Sequence, residues 1–175
     1  IQDPKHVSLG DLFDKFSNDE VLLARVMPLV KTYDYVLEGN HDVKNVAGSC
    51  SSLAFLMEML RQIDEEDGAR NLSVPFGEVG HHTVEYDDVV LFMVPHHGTQ
   101  ALFEEALRTT EAAAQKRDLK GKAPVLCLHC NYNSPFTNDI ALNLTQDQGG
   151  ALLQVFKYVL IGHDHNPKSD FNGRL

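Results

Sequence analysis

Metal-capable side chains follow five separate apolar segments of this 175-residue chain. Each segment has the composition of a buried strand, as in Tyr35–Glu38 and Val89–Val94. The side chains are Asp11 and Asp14, Asn40 and His41, His96 and His97, His129, and His163 and His165. Carboxylate, amide and imidazole groups together suit divalent ions such as manganese, iron or zinc. The sequence therefore predicts a metal site.

This set contains more ligands than one tetrahedral zinc ion can use, which favours two cations a few ångströms apart. Two such cations can clamp the attacking and leaving oxygens during displacement at a phosphoester. Each group also has a structural explanation when it is taken alone. Asn40-His41-Asp42 is a common turn composition, and His129 is compatible with a hydrogen-bonded core histidine. The repetition at five strand ends favours the metal site.

Alternating strands and helices must position these side chains. Residues 7–38 read as a strand, a helix and a parallel strand. Ligands of open α/β sheets bind at the carboxyl ends of such strands. Further helices are predicted over 53–64 and 100–116, with a short helical turn over 151–156, and residues 131–149 are predicted to form a loop. Further strands are predicted over 72–76, 82–86, 89–94, 125–128 and 158–161.

The composition favours one soluble domain. Hydrophobic residues make up 43% of the chain, yet no apolar run approaches the roughly 18 residues of a membrane span. Three cysteines form an odd set, which fits reduced thiols in the cytoplasm. The net charge of −10 argues against a broad DNA-binding surface. If DNA binds, the basic loop Lys116–Lys122 is a candidate contact to its backbone.

Four stretches resemble four of the five motifs of the calcineurin-like metallophosphoesterases, in family order. They are Gly10-Asp11-Leu12-Phe13-Asp14, Gly39-Asn40-His41-Asp42, His129 at a strand end, and Gly162-His163-Asp164-His165. The resemblance covers nearly the whole chain. It implies an α/β fold over residues 1–175: a four-layer α/β/β/α sandwich with two packed mixed sheets between outer helices.

The resemblance also implies roles for individual residues. Asp11 would bridge two divalent metal ions, while Asn40, His129 and His163 would complete one metal site. His165 would belong to the other site, together with an acid and a histidine of the family's first motif. His41, oriented by Asp42, would stand near the scissile phosphate as proton donor or charge stabiliser. The cations would activate a water and neutralise charge on the phosphate.

The first motif departs from the family pattern. Asp3 is its candidate acid, but Lys5 stands where the family has a histidine. The residues between Asp3 and Asp11 are too few for a crossover between parallel strands, which needs about a dozen or more. We expect that a segment is missing between about residues 4 and 7; the alternative is a degraded first site in which His6 substitutes. A capping region of the family would follow Leu175.

Within this family the chain most resembles the SbcD-type nucleases of double-strand-break repair, including phage versions. The resemblance lies in Gly10–Asp14, in the loop and helix from Val43 to Leu60, and in Phe156–Lys168. It implies exonuclease and endonuclease activity on DNA with two manganese ions, in DNA repair and recombination. It further implies a homodimer, an SbcC-type coiled-coil ATPase partner, and the cytoplasm of a bacterial or phage-infected cell.

Three further residues are candidate substrate contacts. His96 and His97 end a central strand, and Asn131 follows His129, where it could contact a sugar or base. Structural roles for the two histidines stay open. Two other functions also stay open: a phosphatase or phosphodiesterase acting on small nucleotides, and a metal-binding scaffold subunit without catalysis. The pair Cys127 and Cys130 is expected to be structural, with Cys127 facing the core.

Overall fold

The computed structural model describes residues 5–15, 18–42, 51–67, 81–135, 142–165 and 167–175 of the protein. The helices in these residues are α1 (Glu20–Val30), α2 (Ser52–Asp67), α3 (Gln100–Lys116) and α4 (Gln146–Leu152). The strands are β1 (Val7–Ser8), β2 (Tyr35–Val36), β3 (His82–Glu85), β4 (Val89–Val94), β5 (Ala123–His129), β6 (Asn131–Tyr132), β7 (Asn143–Leu144) and β8 (Tyr158–Gly162). Among the described residues, no helix is both long and apolar enough to cross a membrane.

The first three helices follow the sequence-based prediction. The carboxylate of Asp19 caps α1 by accepting the backbone N–H of Leu22 at 2.8 Å. The bounds of α3 are those predicted, and the side chain of Thr99 caps it. The helix predicted over 53–64 is present as α2, which begins one residue earlier and ends three residues later. Capping groups and apolar periodicity were therefore sufficient signals for these helices.

The prediction of a loop over 131–149 is wrong in part. Strands β6 and β7 pair in parallel within this range, and α4 begins at Gln146 rather than near residue 151. The cause is a capping box in which Thr145 and Gln148 exchange side-chain and backbone hydrogen bonds. This Thr-x-x-Gln pattern was present in the sequence, but the polar composition around it favoured a loop.

Besides the pair β6-β7, the described strands form a small sheet and a larger sheet. β1 pairs with β2 in parallel, which confirms the strand–helix–strand unit over residues 7–38. The larger sheet has the order β3-β4-β5-β8, in which β3 is antiparallel to β4 and the other neighbours are parallel. It contains the strands predicted over 82–86, 89–94, 125–128 and 158–161. The strand predicted over 72–76 lies outside the described residues.

The two sheets face each other, and helices cover their outer sides. Leu37, Leu91 and Cys127 belong to the apolar layer between the sheets. Helices α1 and α2 pack on the outer side of β1 and β2, while α3 and the region of α4 pack on the opposite face of the larger sheet. The result is the predicted α/β/β/α sandwich.

Candidate metal centre

Four electron-pair donors from four segments converge at the carboxyl ends of the strands. Nε2 of His129 lies 3.3 Å from Oδ2 of Asp11, 3.0 Å from Oδ1 of Asn40 and 3.2 Å from Nδ1 of His163. Nδ1 of His163 is in turn 3.6 Å from Oδ2 of Asp11. Asp11 and Asn40 follow β1 and β2 of the small sheet, His129 ends β5 of the larger sheet, and His163 follows β8 of that sheet. We call Asp11, Asn40, His129 and His163 the donor cluster.

Glycines permit the close approach of these segments. A Cβ at Gly10 would overlap the ring of His129, and a Cβ at Gly39 would overlap the carboxylate of Asp11. Two members of the donor cluster also have left-handed backbone angles, with φ of 51° at Asp11 and 96° at His163. Such angles cost roughly 1–3 kcal/mol each at a non-glycine residue. The fold therefore holds these ligands in place against local backbone preference.

The proton on His129 is fixed by a backbone carbonyl. Nδ1 of this buried ring lies 2.7 Å from the carbonyl oxygen of Leu9. Because a carbonyl can only accept, Nδ1 is the protonated nitrogen in this hydrogen bond, and Nε2 of the neutral ring presents a lone pair. That lone pair faces the oxygens of Asp11 and Asn40. In this neutral form the opposed lone pairs repel one another, and either a proton on Nε2 or a shared cation relieves the repulsion.

The spacing within the donor cluster fits a bound divalent cation. Ligands about 2.1 Å from one ion stand roughly 3.0–3.4 Å apart in octahedral or tetrahedral geometry. Three of the four observed separations, at 3.0, 3.2 and 3.3 Å, lie in this range, and the fourth, at 3.6 Å, is slightly longer. Burial alone would raise the pKa of Asp11, but its hydrogen bonds and charge interactions with the two histidines hold that pKa well below the ordinary value. Asp11 is therefore an anionic ligand.

His41 stands beside the donor cluster with one ring nitrogen directed outward. Its backbone N–H donates to Oδ1 of Asp11 at 2.9 Å, and its ring Nδ1 donates to the carbonyl oxygen of Asp14 at 2.8 Å. The side chain is exposed, so Nε2 can meet a group that approaches from solvent. The ring is thus oriented by the backbone of residue 14 and not, as the resemblance implied, by Asp42.

Asp42 has a different set of partners. This buried carboxylate accepts the backbone N–H of Gly39 at 3.0 Å and that of Leu12 at 3.4 Å through one oxygen, Oδ2. It therefore ties the segment that carries Asp11 to the segment that carries Asn40. Burial raises the pKa of Asp42, although these hydrogen bonds act in the opposite direction. The contacts support a positioning role for Asp42.

A second buried acid, Glu38, precedes the donor-bearing turn. It is 2% exposed, and its Oε1 has no hydrogen-bond partner in the described part of the chain. Burial, reinforced by the negative charge of Asp42, raises the pKa of Glu38 to about 8. Sequence reasoning missed this residue, although an acid inside the apolar run Tyr35–Glu38 was a visible signal.

The structure separates the adjacent histidines after β4. His96 is half-buried, and its ring meets the ring of His129 edge-on, with centroids 6.2 Å apart. Burial lowers the pKa of His96 to about 4, and repulsion from the positive charge of a protonated His129 contributes in the same direction. His97 is buried instead against Phe103 of α3, and its Nδ1 donates to the carbonyl oxygen of Pro95 at 2.8 Å. His96 borders the donor cluster, whereas His97 belongs to the core under α3.

Three predicted site residues are not part of the donor cluster. His165 is exposed, and Asp3 lies outside the described residues. Asn131 lies in β6, where its backbone N–H donates to the carbonyl oxygen of Leu142 at 2.8 Å. The carboxylate of Asp14 likewise does not belong to the group of converging acids and histidines. Asp14 instead accepts a hydrogen bond from His41 through its backbone carbonyl oxygen. Within the described part of the chain, no second group of converging acids and histidines lies beside the donor cluster.

The basic loop and the cysteines lie away from the donor cluster. Arg117 and Lys122 both pair with Glu85, at 2.6 and 2.7 Å, beside the amino end of β5. His129 ends that strand about 20 Å away, so this location disfavours the predicted contact to DNA held at the metal centre. Cys127 and Cys130 are buried without a disulfide, and burial raises the pKa of Cys127 to about 12. The expected structural role of Cys127 in the core is confirmed.

The comparison with protein families agrees with this geometry. A model of the calcineurin-like phosphoesterases matches residues 2–167. A search of curated proteins found no match. The matched range includes every member of the donor cluster and His41. The chain therefore belongs to the calcineurin-like phosphoesterases, a family of metal-dependent hydrolases of phosphoesters.

Proposed function

We propose that this protein is a two-metal phosphodiesterase of the SbcD type, which cuts DNA as exonuclease and endonuclease in repair or recombination. The observation that carries the proposal is the convergence of Asp11, Asn40, His129 and His163, with His41 beside them. The three stretches that resemble SbcD-type nucleases support the choice of DNA over smaller phosphoesters. Manganese is the proposed ion, because a mixed set of carboxylate, amide and imidazole ligands suits it.

Bound divalent cations would supply Lewis-acid activation of water and neutralise the developing charge on the phosphate. The protein's own groups position the reaction. Asp11, held anionic, and the lone pairs of Asn40 and His129 define where a cation is held. His41 presents Nε2 toward the open side, where it can donate a proton to the departing oxygen or stabilise charge on the phosphate.

The acidic character of the chain bears on how DNA would bind. With a net charge of −10, phosphate recognition depends on the bound cations and on local groups rather than on a broad basic surface. We therefore propose that His96, His41 and Asn131 contact the substrate locally near the centre. His97, buried under α3, is not proposed as a contact.

Partner proteins are part of the proposal. Large apolar side chains are exposed on α1 and α2, which form one outer layer of the sandwich. They are Val21, Leu22, Leu29, Phe55 and Met59. Exposed apolar groups of this kind support a contact with a second copy of the chain or with an SbcC-type ATPase. The buried, unpaired cysteines are compatible with the cytoplasm as the proposed location.

Two classes of substrate, DNA and small phosphoesters, offered in parallel test the proposal. Supercoiled plasmid and linear duplex DNA are incubated with the protein and Mn²⁺, beside a small chromogenic phosphodiester and a phosphomonoester. Nicking or shortening of DNA that is lost in Asp11→Asn supports the nuclease. Hydrolysis of the small substrates alone would favour the small-nucleotide enzyme. Elemental analysis of the purified protein gives the number of bound ions, and an absence of ions together with inactivity would favour the scaffold.

A further inference from the structure

The chain continues from the metal-centre residue His129 directly into β6 and a turn, residues 131–134, which we call the β6 segment. The backbone N–H groups of Asn131 and Asn133 donate to carbonyl oxygens in and next to β7, at 2.8 Å each. Tyr132 between them is buried in the core under α3. Because successive side chains of a strand alternate, those of Asn131 and Asn133 face away from this core. The β6 segment thus presents two amides close to the donor cluster.

A glutamine at the start of α3 holds the partner strand of this segment. Oε1 of Gln100 accepts the backbone N–H of Asn143 at 3.0 Å, and Nε2 of Gln100 donates to the carbonyl oxygen of Asn143 at 3.0 Å. The side-chain amide thus bonds to β7 as the backbone of a further strand would. Oδ1 of Asn143 in turn accepts the backbone N–H of Ser134 at 3.0 Å. Gln100 is therefore connected to the β6 segment through a single residue.

A second set of side-chain hydrogen bonds holds the same segment. The hydroxyl of Tyr132 donates to Oδ2 of Asp170 at 2.7 Å, and Nε2 of Gln146 donates to the same oxygen at 2.8 Å. The start of α3, β7 and the C-terminal residues thus all fix four residues that follow a donor of the metal centre. A segment that is fixed before a ligand arrives loses little entropy when it makes a contact. The β6 segment is therefore preorganised for binding.

We propose that Gln100 is a positioning residue for DNA, which acts by holding Asn131 where it contacts the strand beyond the scissile phosphate. The inference rests on the proposed function, in which Asn131 is a substrate contact. A DNA strand extends past the metal centre, whereas a small phosphodiester ends there. A displacement of about 1 Å caused by a distant mutation can cost about 10²-fold in activity. Loss of the Gln100 hydrogen bonds should therefore impair the use of DNA and spare small substrates.

The test compares Gln100→Met with the wild type on a DNA oligonucleotide and on a small chromogenic phosphodiester, both with Mn²⁺. Methionine is similar in length but can form neither hydrogen bond to Asn143. Gln115→Met is the matched control, because Gln115 lies on the same helix and is hydrogen-bonded within it, to Glu111. Thermal melting and Mn²⁺ titration first establish that each variant is folded and binds metal as the wild type does. Asn143→Ala is a second variant, which removes the bond to Ser134 and keeps the backbone that Gln100 contacts.

We expect KM for DNA to rise about tenfold in Gln100→Met, while kcat and the rate on the small substrate stay within about twofold of the wild type. Asn143→Ala should show the same separation of effects, and Gln115→Met should match the wild type. In the double variant Gln100→Met/Asn131→Ala, KM should equal that of Asn131→Ala alone, since both changes remove the same contact.

Three results would overturn this inference alone: an unchanged KM for DNA in Gln100→Met, an equal loss on the small substrate, or losses that multiply in the double variant. A uniform loss on both substrates would show that Gln100 only supports the fold. A wild-type protein that cleaves no DNA would overturn the inference together with the nuclease function.

Discussion

The side-chain oxygen of Asn40 lies 3.0 Å from Nε2 of His129, although the two residues are 89 positions apart in the chain. They come from different sheets, since Asn40 follows β2 and His129 ends β5. When the His129 ring is neutral, its proton is on Nδ1 and faces Leu9, so the atoms of Asn40 and His129 that face each other are both electron-pair donors. This contact is favourable when a cation lies between them.

Replacement of Asn40 should therefore weaken cation binding. In Asn40→Ala we expect the affinity for Mn²⁺ at the first site to fall at least about tenfold, because one of four donors is lost. Asn40→Asp keeps an oxygen at the same position and should retain binding. Calorimetric titration of the three proteins measures the effect, and equal affinity in Asn40→Ala and the wild type would show that this amide is not a ligand.

His41 should affect the rate of hydrolysis without affecting the metal. Its ring donates to Asp14 and is exposed at Nε2, so it is placed to meet substrate rather than a cation. His41→Gln should lower the rate on a phosphodiester by about 10²–10⁴-fold, which is typical for loss of a general acid. Mn²⁺ affinity should stay at the wild-type value. A parallel loss of metal binding would instead make His41 a ligand.

Gly39 should be intolerant of a side chain. A Cβ at this position would overlap the carboxylate and backbone of Asp11, so the segment that carries that ligand would have to shift. Gly39→Ala should lower the free energy of unfolding by roughly 1–3 kcal/mol and weaken Mn²⁺ binding. Gly98→Ala is the control, because a Cβ there meets nothing within 4 Å. Urea unfolding and metal titration of both variants give the comparison.

Glu38 should make stability depend on pH. Its pKa is raised to about 8 in the folded protein, from about 4.3 in an unfolded chain. Between these values the native state holds a proton that the unfolded state has released, so the free energy of unfolding falls as pH rises. The contribution is fully present below about pH 4.3 and is lost as pH rises through 8.

Glu38→Gln cannot ionise and should flatten this dependence. We expect the wild type to lose roughly 1–4 kcal/mol relative to the variant between pH 5 and 8.5. Urea unfolding in the presence of a chelator isolates the effect from metal binding. Parallel pH profiles for the two proteins would show that the carboxyl of Glu38 titrates near its ordinary value.

Sequence patterns were sufficient to predict the strand ends and much of the donor set. Apolar runs with polar residues at their ends place Asp11, Asn40, His129 and His163 at one edge of the sandwich, because parallel strands share their carboxyl edge. The α/β/β/α layering followed from the resemblance. These features depend on local composition and chain order, which a sequence displays directly.

Other details depend on contacts that no local pattern displays. The carbonyl oxygens of Leu9 and Asp14 orient His129 and His41, and a backbone carbonyl has no residue-type signal. His96 and His97 are chemically identical neighbours after β4, and only the packing against Phe103 separates them. The resemblance implied that Asp42 orients His41, whereas in the fold the His41 ring is hydrogen-bonded to the carbonyl oxygen of Asp14.

The donor cluster takes two of its members from each sheet. Asp11 and Asn40 follow the strands of the small sheet, while His129 ends one strand of the larger sheet and His163 follows another. A cation held there would link the two sheets. Ligand binding to the native state alone stabilises it by about 2.7 kcal/mol at a concentration 100 times Kd. A bound metal would thus stabilise the contact between the two sheets. Its removal should weaken that contact before either sheet unfolds.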